Sequence, residues 1–168
     1  MSLTPAEPQC LSVKRLSDPR GPSYNDSWHP SFVKTFVSHL PIKRGQRILD
    51  LACGTGLISF LAASDVGPSG CVIGVDVSEG MLAQAIARKE RKEANFPQLE
   101  FHNHDILDLG SLKSLSEGSF NFITLASTFR VFPGSESCAE ALDKIPEAGR
   151  HDRSGCDTSH ESCFWKCN

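Results

Sequence analysis

Four short apolar runs punctuate the chain, and stripes of helical spacing lie between them. Ile48-Leu49-Asp50-Leu51, Cys71-Val72-Ile73-Gly74-Val75-Asp76, Leu99-Glu100-Phe101-His102 and Phe120-Asn121-Phe122-Ile123-Thr124-Leu125-Ala126-Ser127 are short and rich in β-favouring residues, which predicts strands. Ahead of the first run, Phe32, Val33, Phe36, Val37 and Leu40 recur at helical spacing from Pro30 until Pro41 stops them. Leu57, Ile58, Phe60, Leu61 and Ala62 predict a second helix, closed by the turn chemistry of Gly67-Pro68-Ser69-Gly70. Met81, Leu82, Ala85 and Ile86 form the stripe of a third, with Ser78 as its cap, the polar run 88–92 as its solvated face and Pro97 as its limit. Leu109, Leu112 and Leu115 predict a further short helix.

Strands that alternate with helices at this spacing predict βαβ units, because parallel strands need a long crossover. The carboxyl ends of parallel strands share one edge, so Asp50, Asp76, Asp105 and Ser127 converge there. In open α/β sheets that edge is where ligands bind.

Outside the alternation the pattern fades. Residues 1–27 are polar and carry Pro5, Pro8, Pro19, Gly21 and Pro22, which predicts a mobile N-terminal arm. Residues 28–135 form the expected domain. Residues 136–168 open with a helical stripe, Ala139, Leu142 and Ile145, then turn polar from Gly149 with no recognisable strand. They read as a divergent, disordered tail, from a truncated or altered gene. The fourth strand then stands as an exposed apolar edge, open to pairing with other chains.

Composition narrows the class further. At 168 residues the chain supports one domain with a real core. Lys+Arg 17 against Asp+Glu 20 gives a net charge of −3, which offers a nucleic-acid partner no global attraction. No apolar run approaches the roughly 20 residues that cross a bilayer, and the N-terminus lacks a signal-peptide pattern, so the expectation is a soluble, cytoplasmic protein without a membrane partner. Seven cysteines, an odd number without a secretion signal, predict free thiols. Cys156, His160, Cys163 and Cys167, with His151 upstream, are zinc-type ligands, but their spacing matches no paired-cysteine knuckle and no metal site is expected. The oligomeric state is left open.

The glycine turn gives the edge its chemistry. Gly54 and Gly56 let the backbone turn sharply and approach a ligand closely. Asp76 follows Gly56 by about 20 positions, the distance at which a carboxylate accepts hydrogen bonds from ribose hydroxyls. Asp105 can accept from an exocyclic base amine, with Val77 and Ile106 as apolar plates on either side of the ring. Asp50 suits a cationic end better than a pyrophosphate, which it would repel. Tyr24 and Trp28 serve either as packing or as a cover over the ligand. The implied ligand is adenosine joined to something positively charged. Gly54, Gly56, Ser59 and Asp76 also approximate a dinucleotide pattern, so an NAD(P)-dependent oxidoreductase is the rival; Asp50, Asp105 and the serine at position 59 speak against it.

Asp50-Leu51-Ala52-Cys53-Gly54-Thr55-Gly56, Val75-Asp76-Val77-Ser78 with Gly80-Met81-Leu82, and His104-Asp105-Ile106 resemble three successive motifs of class I S-adenosylmethionine-dependent methyltransferases. The likeness is to the ubiquinone and menaquinone-type small-molecule branch, and Tyr24 with Trp28-His29-Pro30 is similar to the approach to the first motif in fungal-type members. It covers residues 24–133. The resemblance implies an α/β fold, a Rossmann-like parallel sheet with flanking helices, here incomplete with about four strands in the order 3-2-1-4. It implies S-adenosyl-L-methionine as cofactor and a small-molecule methyl acceptor. Gly54 and Gly56 would lie against the methionine part, Asp76 at the ribose, Asp105 and Ile106 at the adenine, and Ala126 with Ser127 at the methyl end. Tyr24, Asp50, Ala52, Val77 and Met81 complete the cofactor-binding candidates, with Ala52 standing where many members have a glycine. The resemblance names no catalytic base. His102 and His104 are candidates, with surface or strand packing as the plainer reading, and Cys53 reads as a small loop residue. Absence of the family's later strands raises a second reading, a non-catalytic cofactor-binding remnant.

Overall fold

The computed structural model describes residues 9–91, 95–112, 115, 120–126, 151–152, 156–157 and 162–167. Two helices, α1 (Gln9–Ser17) and α2 (Gly21–Tyr24), flank a single 3-10 turn at Asp18–Arg20 and lead into α3 (His29–Ser38). The alternation then runs β1 (Arg47–Leu51), α4 (Leu57–Val66), β2 (Cys71–Asp76), α5 (Glu79–Glu90), β3 (Leu99–Asn103), a 3-10 helix at Ile106–Ser111 and β4 (Phe122–Ala126). These four strands are parallel and ordered β3-β2-β1-β4, as the resemblance implies.

Strand pleating sorts the apolar runs onto two faces. Ile48 lies in register with Val72 and Phe122, and all three pack under Phe60, Ala62, Ala63 and Val66 from α4 and its surroundings. Leu49 lies in register with Ile73 and Ile123 on the opposite face, beneath Ile106, Leu109 and Leu115. Both faces are therefore dry, which is why the strands read as nearly continuous apolar runs instead of alternating ones. Ile48, Leu49, Val72 and Ile123 are fully buried, and each contributes roughly 1.5–3 kcal/mol by its burial. A smaller cluster, Val33 and Val37 of α3 against Ile58 of α4, fixes α3 beside the carboxyl edge of the sheet.

Two expectations are corrected. Residues 9–24, read as a mobile arm, form helices docked on α5. Asp18 accepts hydrogen bonds from Ser78 Oγ at 2.6 Å and Gly80 N at 3.0 Å, Lys14 pairs with Glu79, and the Gly21 backbone lies against that of Gly80. Composition missed this because polar latches and a glycine-on-glycine contact do the ordering, with little apolar burial. The second correction concerns the tail, where β5 (His151–Asp152), β6 (Cys156–Asp157) and β7 (Ser162–Cys167) extend the sheet. β7 pairs antiparallel with β4, from Phe122 opposite Lys166 to Ala126 opposite Ser162, and carries β5 and β6 on its far side. Backbone pairing along the open side of β4 needs no apolar alternation, and the polar stretch that precedes β7 disguised it. The helix expected from the stripe Ala139, Leu142 and Ile145, as well as Ser127 and His160, lies outside the described residues.

Candidate functional site

Register brings the predicted acids to one edge. β1 pairs with β2 on one side and β4 on the other, so the crevice beyond its end is the topological switch point of the sheet. Asp50, one residue before the end of β1, is 1% exposed. Its two carboxylate oxygens accept from Ser59 Oγ at 2.5 Å and from Thr124 Oγ1 at 2.8 Å. Burial lifts its pKa to about 6 against the two hydroxyl bonds, and the nearby Asp76 charge adds to the rise.

The turn after β1 is left-handed at Ala52, Gly54 and Gly56, with φ of 51°, 57° and 76°. The two glycines do different work. A Cβ on Gly54 would meet no atom within 4 Å, so that side of the loop is open for a ligand, whereas one on Gly56 would stand 2.8 Å from the Phe101 ring and 3.1 Å from that of Phe60. Gly56 is thus a packing glycine as well as a turn glycine. Ala52 holds a left-handed conformation with a side chain, a conformation that glycine adopts at less cost.

Asp76 at the end of β2 ties the loops together. Gly54 N donates to its Oδ2 and Ser78 N to its Oδ1, both at 2.7 Å. Burial raises its pKa while these two backbone bonds oppose the rise. Ser78 in turn caps α5, accepting from Met81 N at 3.2 Å. Asn103 Nδ2 donates to the carbonyls of Asp76 and Val77 at 3.1 and 2.9 Å, fixing the end of β2 against β3. Asp105 caps the following 3-10 helix by accepting from Leu107 N at 2.9 Å.

A cavity with about 330 Å³ of empty space, part of it open to solvent, lies over the turn. Tyr24, Asp50, Ala52, Gly54 and Ala126 line it, five of the predicted residues drawn from three separate stretches of chain. Val33, Cys53, Leu57 and Ile58 line it too; in sequence Val33, Leu57 and Ile58 read as helix-stripe residues and Cys53 as a small loop residue. Gly56, Asp76, Val77, Met81, Asp105 and Ile106 do not line it; Asp76 reaches it only through Gly54, and Met81 is buried beneath the α5 cap. His102 faces Glu100 at 3.5 Å and His104 lies against Asp108 and Ser111, both away from the cavity. The Cys53 thiol is pushed well above the ordinary range by burial and then by the Asp76 and Asp50 charges, which makes it a poor nucleophile. Ser59 entered the sequence reading only as a position of the dinucleotide pattern, and neither it nor Thr124 as a partner of Asp50; the signal for Thr124 is its place opposite Asp50 in the β1–β4 register.

Four parallel strands in the order β3-β2-β1-β4, with a left-handed turn after β1 and an acid closing β2, define a Rossmann-like nucleotide-cofactor domain. Residues 42–153 match the family model described as a methyltransferase domain, and the chain belongs to that family. Among curated relatives, the demethylmenaquinone methyltransferases of Oceanobacillus iheyensis and Listeria welshimeri are 29% and 30% identical over 121 residues, covering 72% of this chain and 48% and 49% of theirs. The chain thus spans about half the length of the curated relatives it matches. Among solved structures, the magnesium protoporphyrin IX methyltransferase of Synechocystis, with bound S-adenosylmethionine, aligns over 97% of this chain and 98% of its own with a TM-score of 0.56 at 15% identity, a likeness of fold.

Proposed function

We propose that this chain binds S-adenosylmethionine at the carboxyl edge of its sheet and forms the cofactor-holding part of an enzyme that methylates a small organic acceptor. The observation that carries the reading is the cavity, where a buried carboxylate, an unobstructed glycine backbone and apolar walls meet. That donor set fits a ligand that is cationic at one end and largely apolar around its reactive centre. Asp50 supplies negative charge to the lining, while Leu57, Ile58 and Ala126 add apolar surface and Tyr24 an aromatic ring. Asp76 uses two of roughly four acceptor positions on backbone N–H groups, so it retains capacity for ribose hydroxyls. Asp105 keeps acceptor capacity beyond its capping bond for an exocyclic amine, with Ile106 beside it.

When bound, S-adenosylmethionine supplies an electrophilic methyl group on a sulfonium leaving group. The residues here hold, align and exclude water, roles that need no acid–base pair. The relatives named as demethylmenaquinone methyltransferases support a small, ring-bearing acceptor as the class to try first. Family membership also favours methyl transfer over the nicotinamide alternative.

Calorimetry on the folded chain tests the reading: S-adenosylhomocysteine binds and NAD does not compete. A folded sample that ignores S-adenosylhomocysteine overturns it. Binding without methyl transfer to any quinone-like or phenolic acceptor selects the second reading, a cofactor-binding protein without catalysis.

A further inference from the structure

The helical segment ahead of α3 touches both loops that Asp76 ties together. Near one end, Asp18 accepts from Ser78 Oγ and Gly80 N, at the cap of α5. Beyond the other, Asn25 Oδ1 accepts from Thr55 Oγ1 at 2.7 Å, inside the glycine turn. Ser78, itself one anchor point, and Gly54, next to the other, both donate their backbone N–H groups to Asp76. Tyr24 sits between the two anchors and lines the cavity, with its ring stacked on His29 at 4.1 Å. The segment therefore passes over the site as a strap fastened at two points.

Two features make the fastening specific but weak. Gly21 and Gly80 pack backbone to backbone: a Cβ on Gly21 would stand 2.5 Å from Gly80 O, and one on Gly80 would stand 2.5 Å from Asp18 O. No side chain fits there without moving the strap. Against this, α1 turns Leu11 and Leu16 outward at 49% and 66% exposure, so the strap buries little apolar surface of its own. Segments held by a few polar bonds and scant apolar contact open at low free energy.

We propose that Asp18 and Asn25 are positioning residues of the cofactor site, and that they fasten residues 9–28 as a strap that opens to admit the cofactor and closes over it through Tyr24. This rests on the S-adenosylmethionine reading above. Ligand held under Tyr24 and against the Gly54 turn stabilises the loops to which the strap is latched, so closure and binding reinforce each other. Asn25→Ala removes the latch to Thr55 and Gly21→Ala forces the strap off α5, and neither touches the floor of the cavity.

The experiment is stopped-flow release of S-adenosylhomocysteine from the full chain, paired with trypsin cleavage at Lys14, Arg15 and Arg20. For the wild-type chain, S-adenosylhomocysteine slows cleavage at these sites. Losing one hydrogen-bond latch speeds release by about tenfold in Asn25→Ala, Asn25→Asp keeps the acceptor and restores slow release, and Gly21→Ala loses ligand protection from trypsin. Variants that fold with wild-type circular dichroism yet release ligand at the wild-type rate overturn the strap, as does trypsin cleavage indifferent to ligand. Failure of the underlying reading looks different: the wild-type chain then binds no S-adenosylhomocysteine at all.

Discussion

Asp50 and Thr124 face each other across the β1–β4 pair, in register, with the Thr124 hydroxyl donating to the Asp50 carboxylate at 2.8 Å. A charge that is 1% exposed in the core of a sheet is expensive, and the two hydroxyls only partly offset it, which is why the Asp50 pKa rises to about 6. The sign of the pH dependence follows. Below the unfolded value near 4 the group is protonated in both states and costs nothing. Between about pH 4 and 6 the unfolded state is ionised while the folded one still holds its proton, so stability falls across that window by on the order of 3 kcal/mol and is flat above it.

A cationic ligand reverses that penalty by favouring the ionised form. Affinity for S-adenosylmethionine therefore climbs with pH up to about pH 7 and levels off above, while the unliganded melting temperature falls between about pH 4 and pH 6 and is flat above. Asp50→Asn flattens both profiles. Calorimetry and thermal melts of the two proteins across this range decide it, and a wild-type affinity that is constant from pH 5 to pH 7 removes Asp50 from the cationic end.

Ala52 is strained for want of a glycine. An L side chain at φ 51° costs about 1–2 kcal/mol, and glycine gives back part of that through the greater entropy of the unfolded chain. Ala52→Gly is expected to raise stability by up to about 1 kcal/mol without weakening S-adenosylhomocysteine binding, measured as a shift in urea midpoint at constant slope.

The parts of the fold that could be read in advance are those where residue type and position coincide. Asp50 and Asp76 each close an apolar run, so both the strand end and its acid are visible together. Ser78 announces the start of α5 because a hydroxyl before a helical stripe has a ready use for its oxygen. The partners of Asp50 were hidden: Ser59 and Thr124 are unremarkable in a helix and a strand until the register sets them against a buried carboxylate. The order of residues 9–24 was hidden for a related reason, since its hydrogen bonds span about 60 residues, from Asp18 to Ser78 and Gly80. Local periodicity carries no trace of such pairs. β7 escaped notice because pairing to β4 is a backbone matter, and its short run Cys163-Phe164-Trp165 follows a polar stretch from residue 149.

That pairing has its own consequence for solubility. β4 is fully buried from Phe122 to Leu125 and is hydrogen-bonded to β1 on one side and β7 on the other. Removing residues 151–168 leaves one side of an apolar strand without partners, which is a template for association. Such a shortened chain is expected to form oligomers at micromolar concentration, where the full chain remains smaller by light scattering.

Asp76 offers the sharpest separation of structure from binding. Its carboxylate holds Gly54 N and Ser78 N at 2.7 Å, so it anchors the open face of the glycine turn and the start of α5 at once. Asp76→Asn keeps the shape but presents an amide whose single oxygen can satisfy only one of those donors, leaving N–H facing N–H at the other. The expected loss of stability is about 1–3 kcal/mol, enough to register as a lower melting temperature yet not to unfold the chain at 25 °C. Binding suffers more, because the turn loosens and the acceptor for ribose hydroxyls is halved at the same time, so affinity for S-adenosylhomocysteine falls by at least about a hundredfold, the equivalent of two hydrogen bonds to a charged acceptor. Calorimetry on the folded variant measures this, and an affinity within threefold of wild type would show that Asp76 is a structural tie and that the nucleoside is held elsewhere.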